Sequence, residues 1–116
     1  MKYFASQELI KYSKEQLKDL DVIMDLFDQS FTWASDKTSK VLGFSHEELA
    51  ETRVLDLRVM DKSDEEDLEE HTAKKDYVDN FRFRTKDMKE ILVKARVKYI
   101  EFNKQPYQII KILEVD

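Results

Sequence analysis

His46 and His71 are the only imidazoles among the 116 residues. They are the side chains around which acid–base or metal chemistry near neutral pH would have to centre. His46 falls inside Ser45-His46-Glu47-Glu48, the pattern of a capping box, which places its ring on the surface at a helix start. His71 follows Glu69 and Glu70 and reads as part of a solvated helix face. The densest carboxylates run from Asp61 to Glu70. A calcium loop needs oxygen ligands at alternating positions around a glycine, closed by a glutamate, and that spacing is absent. Ser63-Asp64-Glu65-Glu66 instead reads as a second capping box, opening a helix toward Lys74 with acids at its positive end. No metal site and no catalytic residue is assigned.

Missing residue types exclude further classes. The chain has no cysteine, which removes disulfides, thiolate metal sites, cysteine nucleophiles and cysteinyl adducts. Gly43 is the single glycine, so phosphate-cradling loops, dinucleotide fingerprints and nucleophile elbows cannot be built. The net charge is −5 and the lysines and arginines are interspersed with acids, which argues against a nucleic-acid partner. No stretch approaches the roughly 20 apolar residues of a membrane helix. Met1 to Glu8 lacks the apolar region of a secretion signal, so a cytoplasmic, non-membrane protein is expected.

The elements that position these residues follow from periodicity. Tyr3, Ser6, Ile10, Ser13, Leu17, Leu20, Met24 and Phe27 recur at spacings of three and four, which predicts an amphipathic helix over residues 1–28. Ser13 and Gln16 form a possible capping box, from which the solid helix would begin near Lys14. The apolar stripe serves either the domain's own core or a partner helix. Phe31-Thr32-Trp33-Ala34-Ser35 reads as a short strand. Short helices follow, the first capped by Ser35 or Asp36 and ended by Gly43 in the left-handed C′ position, with Phe44 beside it. Val54 to Met60 is too short and irregular to assign.

From Phe81 the period becomes two. Phe81-Arg82-Phe83-Arg84, Ile91 to Phe102 and Tyr107 to Val115 read as strands, joined by turns at Thr85–Lys89 and Asn103–Pro106. Val93, Ala95, Val97 and Tyr99 share one face of the middle strand. The last strand is apolar on both sides, Ile110 and Ile112 against Ile109, Leu113 and Val115, so both sides need cover. The expected fold class is α+β: an antiparallel sheet with short helices on one face and the N-terminal helix on the other. One domain is expected, with residues 1–28 as helix and 29–116 as core.

Phe31 to Leu49 resembles the PAS-domain pattern of a strand ending in Ser or Asn, a short helix, and Leu-Gly-Tyr/Phe-Ser-x-Glu-Glu-Leu. Phe81 to Asp87 is similar to the family's Arg-x-Arg-x-Lys-Asp-Gly hairpin, and Glu114-Val115-Asp116 to the start of its terminal Asp-Ile-Thr signature. Two departures stand out. Phe27 and Phe31 leave little room for the family's first strand, which is read as missing or vestigial. Met88 replaces the hairpin glycine, so the turn is expected to change shape.

The resemblance implies a sensory, regulatory input and dimerisation module of a bacterial or archaeal-type signalling protein, such as a two-component histidine kinase, rather than an enzyme. It implies a cavity between helices and sheet, with Trp33, Leu42, Leu57, Leu68, Phe81, Phe83, Val97 and Tyr99 as candidate lining. Leu17, Leu20, Met24 and Phe27 would form the interaction helix of a homodimer or effector contact. No cofactor is expected. The alternatives are a haem or flavin redox or gas sensor, with His71 on the segment that carries the haem ligand in some relatives, and a purely structural dimerisation domain.

Overall fold

The computed structural model describes residues 5–59 and 76–116. Leu68, His71 and the Ser63 to Lys74 helix start lie outside the described residues.

Helix α1 (Gln7–Gln16) begins where the Ser6 hydroxyl accepts from the Leu9 N–H at 3.1 Å, two turns earlier than the Ser13 box anticipates. It ends well short of residue 28. Leu17 is already extended and Asp19 is left-handed at φ 58°, so the chain leaves the helix and continues as strand β1 (Val22–Asp25). The helix over residues 1–28 and the first strand read as missing or vestigial are both corrected here, by one physical cause. Apolar residues at 17, 20 and 24 keep helical spacing by coincidence, while the β-branched Val22-Ile23 pair sits between two sheet neighbours. Leu17 and Leu20 are buried beneath α1's side of the domain, Met24 is in β1, and Phe27 is 78% exposed in the following turn.

Strand β2 (Phe31–Ala34) returns antiparallel to β1. Helix α2 (Asp36–Leu42) is capped by the Ser35 hydroxyl and closed by Gly43 at φ 79°. Helix α3 (His46–Ala50) carries the full Ser45–Glu48 capping box. Helix α4 (Val54–Leu57) is a single turn. The meander comprises β3 (Tyr77–Arg84), β4 (Glu90–Phe102) and β5 (Gln105–Val115), all paired as antiparallel neighbours. Sheet order is β2-β1-β5-β4-β3, so the ends of the chain's folded part meet in the middle.

Two turns hold non-glycine residues at positive φ. Asn103 and Lys104, at 51° and 65°, make a two-residue hairpin between paired Phe102 and Gln105. Met88 keeps the left-handed backbone at φ 68°, so the turn retains its shape rather than changing it. The reason is closure from both sides: the Thr85 N–H donates to Lys89 O at 2.8 Å and the Met88 N–H to Thr85 O at 3.0 Å. Those bonds offset a left-handed cost of about 1–2 kcal/mol.

The sheet buries apolar side chains on both faces. Under α2 to α4, the inner face gathers Val22, Met24, Phe31, Leu42, Leu49 and Leu57. Under α1, the outer face gathers Leu9, Leu20, Ile23, Ile100, Tyr107 and Ile109. Lys98 fastens this layer by donating from Nζ to the Gln16 carbonyl, 3.3 Å away, at the negative end of α1.

Candidate functional site

Between α2, α4 and the inner sheet face lies a cavity of about 70 Å³. At about 15 Å³ for each water-sized position, that is room for roughly five waters or one compact molecule. Strand alternation directs Phe81 and Phe83 from β3, Ala95 and Val97 from β4, and Ile110 and Ile112 from β5 toward it. Leu42 and Val41 approach from α2, and Val54 and Leu55 from α4.

A short polar arc interrupts this apolar wall. Gln29, held at φ 61° in the β1–β2 turn, reaches the cavity while its carbonyl accepts from the Val54 N–H at 2.8 Å. Gln108 borders it from β5 and is buried. Arg58 lies with its guanidinium carbon 4.8 Å from the Phe81 ring centroid, a cation–π arrangement. Tyr77 borders the same side, and burial pushes its phenol up to about 12, against the opposing pull of the Arg58 charge. The Tyr77, Phe81 and Phe83 rings follow one another at 6.5 and 6.4 Å, so β3 presents a continuous aromatic edge. This rim is tied shut where the Val59 N–H donates to Arg82 O at 2.9 Å.

Asp21 joins the three elements behind the cavity. One carboxylate oxygen accepts from the Ser35 hydroxyl at 2.7 Å and the other from the Ile112 N–H at 2.8 Å. Its carbonyl accepts from the Ser35 N–H at 2.8 Å and the Thr38 hydroxyl at 2.9 Å. The Ile112 contact falls where the β4–β5 register slips, pairing Lys94 with Glu114 but Ala95 with Ile112, so Asp21 clamps a β-bulge.

Of the anticipated lining residues, Leu42, Phe81, Phe83 and Val97 do border the cavity. Leu57 is buried in the same inner cluster without bordering the space. Trp33 is on the other side of the sheet. The β1–β2 register slips so that Met24 pairs with Phe31 and Ile23 with Trp33. That bulge breaks the alternation and sends Trp33 outward, where the Lys14 ammonium lies 5.3 Å from its ring centroid. Tyr99 also turns away, donating its hydroxyl to Glu101 at 2.7 Å. Met24, anticipated on an interaction helix, lines the cavity instead. Gln29, Arg58, Tyr77 and Gln108 carried no local signal, because only pairing across distant segments turns them inward.

A family model described as the PAS fold matches residues 31–113. No curated protein matches the chain. Among solved structures, a PAS domain from a two-component sensor histidine kinase has a TM-score of 0.74 at 18% identity, covering 96% of this chain and 100% of its own. A PAS domain from Desulfitobacterium hafniense has a TM-score of 0.63 at 25% identity, covering 85% and 96%. The PAS-B domain of Drosophila melanogaster Cycle, with bound ethylene glycol, has a TM-score of 0.67 at 19% identity, covering 84% and 99%. A small antiparallel sheet with helices arched over one face is the architecture of a sensory or interaction module. The chain belongs to the PAS family.

Proposed function

We propose that this domain is a regulatory input module that takes a compact, largely apolar ligand with one hydrogen-bonding group into the inner cavity and reports its presence through protein contacts. The observation that carries this reading is the cavity itself. A packed interior tolerates few voids larger than a water, yet this one is bordered by Gln29, Arg58, Tyr77 and Gln108, which a purely structural core has no need to gather. The ethylene glycol in the Cycle domain is a ligand of the size envisaged.

Size also weighs between ligand classes. A space of about 70 Å³ suits a few heavy atoms and, as packed, does not accept the tricyclic ring of a flavin or a haem. The output is a contact with an effector domain or a second subunit, as in a histidine-kinase input domain. No catalytic step is part of the proposal.

Titration of the isotope-labelled protein with phenol and with ethylene glycol, followed by amide NMR, tests it. Shifts centred on Val97, Gln108 and Ile110, with α1 unaffected, are expected for at least one probe. No perturbation by either, or shifts confined to the outer face, would overturn the reading.

A further inference from the structure

The polar edge of the inner cavity is one-sided in charge. Among the described residues that line the space, Arg58 is the cation, and no Asp or Glu takes part. Tyr77 beside it is held protonated near neutral pH by burial, so it carries a hydroxyl rather than a phenolate. Gln29 and Gln108 add carboxamides, each with two N–H donors. Thr38 also borders the space, but its hydroxyl is engaged in donating to the Asp21 carbonyl at 2.9 Å. The nearest acid along β3 is Asp79, whose charge acts on Tyr77 but which does not border the space.

This edge chooses between ligand classes. An ammonium head group would meet like charge at Arg58 and no acid. An inorganic anion would suit the arginine and leave the apolar wall unfilled. A neutral alcohol or amide gains ordinary hydrogen bonds alone. A carboxylate gains charge-assisted bonds, roughly twice as strong as neutral ones. Arginine's planar fork of donors also matches its two oxygens, and here the guanidinium is placed over the Phe81 ring. Burying an anion is costly unless fixed donors already converge on it. Here they converge from the β1–β2 turn, the end of α4, β3 and β5.

Resting on the reading of the cavity as a ligand site, we infer that its ligand is a short-chain monocarboxylate. The carboxylate sits at the Arg58–Tyr77 edge, and the alkyl body lies against Val97, Ile110 and Ile112. A space of about 70 Å³ limits the molecule to a few non-hydrogen atoms.

Propionate and propionamide, equal in shape and different in charge, test this by amide NMR titration of the labelled protein at matched ionic strength. Propionate is expected to shift the Val97, Gln108 and Ile110 amides with at least tenfold higher affinity, equivalent to about 1.4 kcal/mol. Arg58→Gln should abolish that preference, and Arg58→Lys should restore part of it, with circular dichroism unchanged in both. Tyr77→Phe should lower propionate affinity about threefold. Equal or tighter binding of propionamide overturns the inference and leaves the cavity a ligand site, and this comparison needs no variant to fold. The same follows if phenol or ethylene glycol binds and propionate does not. Identical shifts with sodium chloride or inorganic phosphate would reduce the effect to ion screening and overturn it as well. Silence from all four organic probes would instead remove the reading of the cavity on which the inference rests.

Discussion

On the outer face of the sheet, Leu9, Leu20, Ile23 and Ile109 close against one another under a helix pinned at both ends, by Ser6 and by Lys98. On the inner face, helices of seven, five and four residues arch over a sheet surface of similar apolarity and leave a cavity of about 70 Å³ with glutamines, an arginine and a tyrosine at its edge. The sheet is shared, so the difference arises from the covers. One ten-residue helix lies flat and fills its groove. Three short helices joined by turns make an arch, and an arch encloses space. The filled face is where stability concentrates, and the vaulted face is where a ligand can be exchanged without dismantling the fold.

Four substitutions break or sharpen this comparison. Leu20→Asp places an unpaired charge in the filled layer and should cost more than about 4 kcal/mol, enough to unfold the domain. Far-ultraviolet circular dichroism showing a folded variant would contradict the filled-face account. Asp21→Ala removes the clamp at the seam between the faces, leaving the Ile112 N–H buried without its acceptor. A loss of about 1–3 kcal/mol by urea denaturation is expected.

Ala95→Leu separates the two faces most sharply. Adding that bulk to a filled core costs about 1–3 kcal/mol, but Ala95 borders open space, so a cost below about 1 kcal/mol is expected, together with loss of phenol binding. A penalty typical of a filled core would mean that the inner face has no usable room.

The smallest effect belongs to the surface. A hydrogen bond from Lys86 at 2.6 Å, aided by the Ser45 N–H, holds the Glu48 carboxyl down to about 2 from its ordinary 4.5. Its contribution is therefore complete above pH 4.5 and is lost as pH falls toward about 2. The exposed setting and salt screening keep it small. Lys86→Ala should return the Glu48 titration, followed by carboxyl-carbon NMR, toward 4.5, with little change in stability near neutrality.

What was legible in the sequence was what local chemistry decides. Ser35, Gly43 and the Ser45–Glu48 box end and start helices through bonds within a few residues, and the structure has them where the sequence indicates. The three meander strands likewise show in their alternation. The misread segments are those where two local patterns coincide or an inserted residue shifts parity. Residues 17, 20 and 24 satisfy helical spacing while Asp19 turns the chain into a strand. Trp33 faces out because of one bulge, although its alternation with Phe31 points inward. The polar edge of the cavity was invisible because Gln29, Arg58, Tyr77 and Gln108 come from four separate segments, and nothing local marks any of them as inward-facing.

The vaulted inner face is tested most directly by a crystal structure determined under xenon pressure, since xenon enters apolar voids without needing a specific contact. Xenon density among Phe81, Val97 and Ile112, with none beneath α1, is the expected result. Walls closed on one another at that position, with no xenon, would contradict it.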